Sequence, residues 1–342
     1  MKVLVLGGTR FIGLAAVRAL VAAGHEVICF HRGQTAAELP DGVIEVLGDR
    51  ARLGEHRDEL AALGPDAALD MIAMTVADSR PVAEVLATLV PRVAVASSCD
   101  VYRSFGVLHG KPEDGEPFVE PAQEDGPLRV SRFPYRGLEG KLPPEKQAFL
   151  RDYDKLLVEA AYREVERLEV ATLRLPMVYG PGDPQARTAS YLRRQLLGRD
   201  VLLAESLAGW RGCRGYVDDA GAALALVATH PDATGGTFAV AEPSAQTELE
   251  WVRAIGAACG WQGEVVVVPD EELPEELRAG FDARQDLTLV SPRIRALGFA
   301  EGLPRAEAIA RTVAWQREAL GDPNPEEAER LTLEQAVLSK RG

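Results

Sequence analysis

The sequence of 342 residues has little cysteine, histidine and tryptophan and no long apolar run. Its four cysteines, at positions 29, 99, 213 and 259, form no C-x-x-C pair, and its five histidines form no H-x-x-H or H-E-x-x-H pattern. These absences argue against a disulfide framework and a zinc site. No apolar stretch approaches the roughly 20 residues that a membrane-spanning helix needs. We therefore expect reduced cysteines, no metal ion and no membrane span.

Positive charge is also scarce, because 38 Lys and Arg residues face 52 Asp and Glu residues, for a net charge of −14. General nucleic-acid binding requires a basic surface, so a nucleic-acid partner is disfavoured. The first residues lead directly into an apolar strand without a basic leader, so we expect a cytoplasmic protein. The expected partner is a small-molecule substrate. The length and the 46% hydrophobic content suit one large α/β domain with a smaller lobe.

The first 32 residues have the pattern of a βαβ unit. The run Val3–Leu6 predicts a strand buried on both faces, apolar residues recur at helical spacing over 14–21, and Val27–Phe30 predicts a second strand. A glycine turn joins the first strand to the helix, where free N–H groups and the helix dipole suit a pyrophosphate. The predicted dinucleotide-binding residues of this turn are Gly7, Thr9, Arg10, Phe11, Ile12 and Gly13.

Two basic positions indicate which dinucleotide this turn accepts. Arg10 replaces the middle glycine of a G-x-x-G-x-x-G pattern and brings a guanidinium to the mouth of the helix. After the second strand, where a carboxylate would bind the adenosine ribose of NAD, the chain has His31 and Arg32. Arg32 would attract a 2′-phosphate, so we favour NADP, with NAD as the alternative if Arg32 is only a surface residue of the turn.

The GGTRFIG turn and several later segments resemble the extended or atypical short-chain dehydrogenases/reductases of the NAD-dependent epimerase/dehydratase kind, over most of the chain. The resemblance implies a Rossmann-type, doubly wound parallel sheet of about seven strands with a small C-terminal substrate lobe, and commonly a homodimer. It places the dinucleotide-binding core in residues 1–175, with segments near 212–242 and 286–298 returning to it. The lobe then occupies mainly 176–320, and 321–342 is a C-terminal tail. Some relatives with this turn are RNA-associated, which the charge disfavours.

The resemblance also implies further cofactor contacts. An Asp at the place of Asp49 commonly binds the adenine amino group, although Asp49 could equally cap the segment that follows it. Arg50 adds positive charge at the cofactor mouth. Ala73 should lie beside the cofactor, Pro176 against the nicotinamide, and Lys155 on the nicotinamide ribose.

Two segments resemble the family's catalytic motifs. In S-[ST]-x-x-V-Y the second hydroxyl residue, here Ser98, hydrogen-bonds the reacting substrate oxygen. In Y-x-x-x-K the lysine binds the ribose and lowers the pKa of the tyrosine, and Lys155 matches this lysine. The tyrosine position is then occupied by Arg151. Tyr153 lies two residues before Lys155, which is about 200° around an ideal helix. With a helix predicted over 149–168, the two share a face only if the helix begins between them.

This departure leaves three interpretations open. Tyr153 acts from a distorted first turn; or another group, such as Tyr102, Tyr135 or Asp100, supplies the proton; or the site has lost the redox step. In the third case the chain is a cofactor-binding regulatory or scaffold protein. The resemblance itself implies an NAD(P)-dependent oxidoreductase or epimerase/dehydratase that acts by hydride transfer on a small polar, possibly sugar-like, substrate.

Candidate substrate residues lie in two regions. Residues 103–147 are polar and rich in Pro and Gly, as in a long active-site excursion. Sugar-nucleotide enzymes carry a diphosphate-binding arginine in a later segment, and here Arg211 and Arg214 flank its expected place. Asp219 is predicted to cap the helix that follows. Residues of the excursion that could contact an anionic substrate are Lys111, Arg129, Arg132, Tyr135, Arg136 and Lys141, and Asp100 and Tyr102 lie just before it.

Overall fold

The computed structural model describes residues 1–136 and 150–341 and is built on parallel strands. The strands are β1 Lys2–Leu6, β2 Glu26–His31, β3 Ile44–Leu47, β4 Ala67–Asp70, β5 Arg92–Ser98, β6 Glu169–Leu175, β7 Met177–Tyr179, β8 Val201–Ala204, β9 Arg214–Tyr216, β10 Thr237–Ala239 and β11 Val265–Val268. Seven of them form one sheet in the order β10-β6-β5-β4-β1-β2-β3, and β11-β8 and β7-β9 are separate pairs. This order confirms the predicted doubly wound, Rossmann-type α/β fold.

Helices connect these strands. The α-helices are α1 Phe11–Ala22, α2 Arg57–Leu63, α3 Val76–Leu89, α4 Arg103–Leu108, α5 Lys155–Arg163, α6 Ala189–Leu196, α7 Glu205–Ala208, α8 Val217–Thr229, α9 Glu248–Cys259, α10 Pro292–Ala296, α11 Arg305–Ala319 and α12 Pro325–Leu338. Short 3-10 helices are Arg50–His56, Cys99–Val101, Pro112–Asp114, Pro231–Ala233, Asp270–Glu272 and Glu275–Leu277. Within residues 1–136 and 150–341, no helix combines the length and the apolar character that crossing a membrane requires.

The two faces of the sheet carry separate apolar cores. Alternate residues of a strand point to opposite faces, so Val3 of β1 packs with α1 and α8 while Leu4 packs with α3 and α5. A Cβ at Gly221 would overlap Ala15, so glycine lets α8 approach α1 closely. This packing holds the carboxyl ends of the central strands along one edge, where open parallel sheets bind their ligands.

Two predicted helix starts have different outcomes. Thr247 and Glu250 form the predicted capping box of α9, with N–H to oxygen distances of 3.1 and 2.8 Å. The predicted capping role of Asp219 is wrong, because α8 begins earlier, at Val217, and Asp219 lies within its first turn. The carboxylate of Asp219 instead accepts the N–H of Gly302 at 2.8 Å.

Two other segments differ from the sequence-based expectation. The polar excursion contains the helix α4, and both Lys141 and the predicted helix start at Phe149 lie outside the described residues. The helix that carries Lys155 begins only at that residue and ends at Arg163, so it is shorter than predicted. The C-terminal segment, expected as a helix or tail, contains α12, which an ion pair between Arg194 and Glu334 (Nε to Oε2, 2.5 Å) holds against α6.

Candidate functional site

The turn between β1 and α1 forms a cradle of backbone N–H groups. Gly7 has a φ of +90°, which favours glycine, and a Cβ at Gly13 would overlap the carbonyl oxygen of Gly7. Among the described residues, no side chain caps α1 at Arg10, and its first turn carries no acidic residue. The first N–H groups of α1 are therefore available to an anion, and the helix dipole favours one there. This geometry fits the pyrophosphate of a dinucleotide.

The other residues predicted for this turn lie around the same cradle. Thr9, Phe11 and Ile12 are half-buried, and Gly182, in the loop after β7, packs against Phe11. Pro176 directly follows β6 and is buried against a glycine of β9. The cradle is thus bordered by the chain that leads into the C-terminal lobe.

The carboxyl ends of β2, β3 and β4 form a rim beside the cradle. His31 Nε2 lies 2.9 Å from Glu45 Oε2, and Arg32 is exposed. Leu47 and Ile72 are 61% and 41% exposed, and Ile72 contacts Gly7 across the turn. Sequence reasoning missed this apolar rim, because an apolar residue at the end of a strand has the same pattern as a buried one.

The prediction that Arg50 binds the cofactor is wrong. Its side chain is buried, and Nε donates to both carboxylate oxygens of Asp70 at 3.1 Å while Nη1 donates to Asp78 at 3.0 Å. Asp70 is fully buried at the end of β4, and a buried carboxylate requires a paired cation. Asp49 Oδ1 accepts the N–H of Ala51 at 3.0 Å, which is the capping role that the sequence left open.

The start of α5 determines where Tyr153 stands. Asp154 has an extended backbone and caps α5, because its Oδ1 accepts the N–H of Leu156 at 3.0 Å. The fully buried Arg129, predicted as a substrate contact, instead donates to Asp154 Oδ1 at 3.0 Å. The helix therefore begins at Lys155, after Tyr153, and the separation expected of an ideal helix does not apply. The capping aspartate directly before KLLVEAA was the sequence signal for this start.

Five predicted residues meet at the carboxyl end of β5. The hydroxyl of Tyr153 donates a 2.6 Å hydrogen bond to Asp100 Oδ2, and its ring packs edge-on against Tyr135, with centroids 5.4 Å apart. Lys155 Nζ lies 5.9 Å from the centroid of the Tyr153 ring, and Ser98 Oγ accepts the N–H of Asp100 at 3.1 Å. A hydroxyl, a carboxyl, a phenol and an ammonium group thus converge, as an acid/base site requires.

Burial controls the charges of this site. It raises the pKa of Asp100, against the lowering effects of the Tyr153 hydrogen bond and of nearby cations. Burial also raises the pKa of Tyr153 and lowers that of Lys155. Lys155 Nζ donates to the backbone carbonyls of Ala73 at 2.5 Å and Ala96 at 2.9 Å. Tyr153 and Asp100 are therefore placed to exchange a proton over a single hydrogen bond.

Tyr102 does not face this site. It is 1% exposed, packs in the same apolar cluster as Val101, and lies under the guanidinium of Arg174 at 4.9 Å from the ring centroid. The prediction that it contacts substrate is therefore wrong, because its ring fills a core position.

The two arginines predicted to meet a substrate anion are engaged elsewhere. Arg214 is buried, forms an ion pair with Glu248, and lies 4.6 Å from the centroid of the Trp251 ring, so its predicted substrate contact is wrong. Arg211 Nη1 donates to the carbonyl of Ala245 at 2.7 Å. Among residues 1–136 and 150–341, neither arginine hydrogen-bonds to Tyr153.

Comparison with known proteins shows the family of this chain. The model of the NAD dependent epimerase/dehydratase family matches residues 153–241. The 2′-dehydrokanamycin reductase of Streptomyces kanamyceticus is 30% identical over 287 residues, which are 81% of this chain and 72% of that protein. The chain belongs to the NAD-dependent epimerase/dehydratase family.

Solved structures share the fold of this family member. The dTDP-glucose 4,6-dehydratase DesIV of Streptomyces venezuelae, solved with NAD and TYD bound, is 23% identical with a TM-score of 0.67 and covers 93% of this chain and 97% of its own. A UDP-glucose 4-epimerase of Thermotoga maritima, solved with UDP-glucose, is 20% identical with a TM-score of 0.65. It covers 94% of this chain and 100% of its own. A chloroplast stem-loop binding protein of Arabidopsis thaliana is 32% identical over 126 residues, a third of each chain.

This epimerase/dehydratase family member keeps the lysine of the Y-x-x-x-K motif but not its tyrosine. Glu159, four residues after Lys155, accepts a 2.6 Å hydrogen bond from Ser97 and pairs with Arg174 at 2.9 Å, which fixes α5 against β5 and β6. Arg151, at the expected tyrosine position, is exposed. Tyr153, two residues later, lies next to Asp100 instead.

Proposed function

We propose that this family member is an NADP-dependent oxidoreductase that interconverts a ketone and a secondary alcohol on a small polar substrate. The observation that carries the proposal is the 2.6 Å hydrogen bond between the Tyr153 hydroxyl and the buried carboxyl of Asp100. Ser98 and Lys155 complete the set of groups that such a reaction needs. The similar reductase of Streptomyces kanamyceticus supports the reaction class.

Named residues would hold the cofactor. The glycine cradle and the N–H groups of α1 would bind the pyrophosphate, and the exposed side chains of Leu47 and Ile72 offer an apolar surface for the adenine ring. Arg32 would pair with a 2′-phosphate, and Lys155 has a third N–H for the nicotinamide ribose. When bound, the dinucleotide donates or accepts the hydride.

The protein's own groups move the proton. In alcohol oxidation Tyr153 takes the proton of the substrate hydroxyl and passes its phenolic proton to the Asp100 carboxylate. Ser98 hydrogen-bonds the same substrate oxygen, and the Lys155 ammonium stabilises negative charge that develops on Tyr153. Ketone reduction follows the same steps in reverse and begins with a protonated Asp100, which burial favours.

We further propose that the substrate carries no nucleotide diphosphate. Arg214 is committed to Glu248 and Trp251, and Arg211 to a backbone carbonyl, so each guanidinium would have to leave these partners to reach a diphosphate. The net charge of −14 disfavours an anionic substrate as well. A neutral or cationic sugar-like ketone fits these groups best.

A turnover assay tests the proposed function. The purified protein is mixed with NADPH and a panel of polar ketones that includes 2′-dehydrokanamycin and keto-sugars with and without a nucleotide, and NADPH absorbance is followed. We expect oxidation of NADPH with ketones that lack a nucleotide. Tight NADPH binding without turnover of any ketone would contradict the proposal and favour the cofactor-binding regulatory protein.

The cofactor preference leads to a separate prediction for Arg32→Ala. Loss of charge-assisted hydrogen bonds to the 2′-phosphate should weaken NADPH binding about 10- to 100-fold and leave NADH binding unchanged. Fluorescence titration of both dinucleotides measures the effect. The matched control is Arg18→Ala, because Arg18 is an exposed arginine of α1. Equal binding of NADPH and NADH by the wild-type protein would overturn the preference.

A further inference from the structure

One cavity has a lining that does not include Tyr153. It has a volume of about 270 Å³, and two of its walls are Tyr179 and Tyr216, which belong to the core that packs with α1 and α8. The helix α5, which carries Lys155, packs on the other face of the sheet. The charged and hydroxyl-bearing side chains that line the cavity, apart from the two tyrosines, are Asp219, Glu242, Ser244, Glu301 and Arg305. The cavity therefore shares none of the residues assigned to the reaction.

Asp219 is the carboxylate in this cavity that has no cation. Its residue is 8% exposed, and Oδ1 accepts the N–H of Gly302 at 2.8 Å. Among residues 1–136 and 150–341, no other donor reaches this carboxylate and no Lys or Arg forms an ion pair with it. Glu242 and Glu301, by contrast, pair with arginines at 2.6 and 2.5 Å. The second oxygen of Asp219 is left for a ligand.

Three other carboxylates lie close enough to Asp219 to raise its pKa. They belong to Asp218 of α8, Glu242 after β10 and Glu301 before α11. The arginines nearby form ion pairs with the two glutamates and not with Asp219. Burial and these like charges raise the pKa of Asp219 to about 6. Pro243, Leu303 and Pro304 supply an apolar part of the cavity wall that can cover a carbon skeleton.

We propose that this cavity binds a small hydroxylated amine, whose ammonium group pairs with Asp219. The ligand's hydroxyl groups would meet the Ser244 hydroxyl, and its carbon chain would lie against Pro243, Leu303 and Pro304. An ammonium supplies both the charge and the donors that the second oxygen of Asp219 lacks. The proposal does not depend on which reaction the site at Tyr153 performs.

Calorimetric titration with glucamine, an open-chain sugar amine, tests the site, with sorbitol as the uncharged analogue. We expect glucamine to bind at pH 7 and sorbitol to bind at least tenfold more weakly. Asp219→Asn should weaken glucamine binding at least tenfold, since the amide keeps an oxygen for Gly302 but loses the charge. Asp218→Asn is the matched control, because Asp218 is exposed and the change in net charge is the same. The glucamine affinity of this variant should stay within twofold of the wild-type value.

The wild-type protein supplies a second test that needs no variant. A primary amine stays protonated between pH 5 and 8, so glucamine binding should be constant above pH 7 and fall as Asp219 protonates near pH 6. Equal binding of sorbitol, equal effects of the two variants, or binding that does not change between pH 5 and 8 would overturn the proposal. NADPH titration of Asp219→Asn should match the wild type, which separates this site from the proposed reaction.

Discussion

We expect Tyr153→Phe to lower kcat about 10²- to 10⁴-fold and to leave NADPH affinity unchanged. The substitution keeps the ring and its packing against Tyr135, but it removes the hydroxyl that donates to Asp100 and that the proposed mechanism uses to carry the proton. The measurement is the steady-state rate with the best ketone of the panel, together with NADPH titration of the same variant.

Tyr135→Phe is the matched control for this substitution. The two rings are in contact, and within the described ranges Tyr135 makes no hydrogen bond to Asp100. We expect its kcat to stay within about threefold of the wild type. The large loss of kcat predicted for Tyr153→Phe comes from lost proton transfer and not from lost ring packing. A large loss in Tyr135→Phe with a small one in Tyr153→Phe would assign the proton to Tyr135.

The pH dependence of alcohol oxidation follows from the same pair. Oxidation needs Asp100 as the carboxylate, so its rate should rise with pH through the pKa of Asp100. Burial raises that pKa, so this rise should lie at a higher pH than for an exposed aspartate. Asp100→Asn should be slow at all pH values and lack the rise. A wild-type rate that is independent of pH would contradict a role for Asp100.

Arg50→Met is expected to lower the free energy of unfolding by about 3–5 kcal/mol. Asp70 is fully buried, and it would lose the guanidinium that meets both of its oxygens, leaving the hydroxyl of Tyr162 as its remaining side-chain partner in the described ranges. A buried carboxylate without a cation is costly, which is why removing one partner of such a pair destabilises strongly. Urea denaturation measures the change.

Arg52→Met is the control, two residues further along the same 3-10 turn. Its guanidinium pairs with Glu55 at 2.7 Å on the surface, where solvent screens the charges, so we expect almost no shift of the urea midpoint. If Arg50 were a phosphate ligand, Arg50→Met would instead lose NADPH affinity without losing stability. That result would restore the cofactor role that the sequence indicated.

Local patterns were sufficient for the dinucleotide-binding half of the fold. The apolar runs of β1 and β2 bury both faces, and Gly7 and Gly13 occupy positions where a side chain cannot be placed, so the βαβ unit is readable from adjacent residues. The capping box of Thr247 and Glu250 is equally local. Such features depend on contacts within a few residues, and for that reason the structure contains them as predicted.

The amino-acid sequence by itself determined the class of fold, the glycine cradle, and the presence of Ser98 and Lys155 in one site. Only the tertiary structure decided which group Tyr153 meets, because its hydroxyl donates to Asp100, which lies 53 residues away in the chain. It likewise decided that Arg50 is structural, since the burial of Asp70 at the end of β4 demands a cation. Burial and ion pairing between residues that are distant in the chain cannot be predicted from local spacing. In this protein they determine which charged residues are structural and which lie in the candidate site.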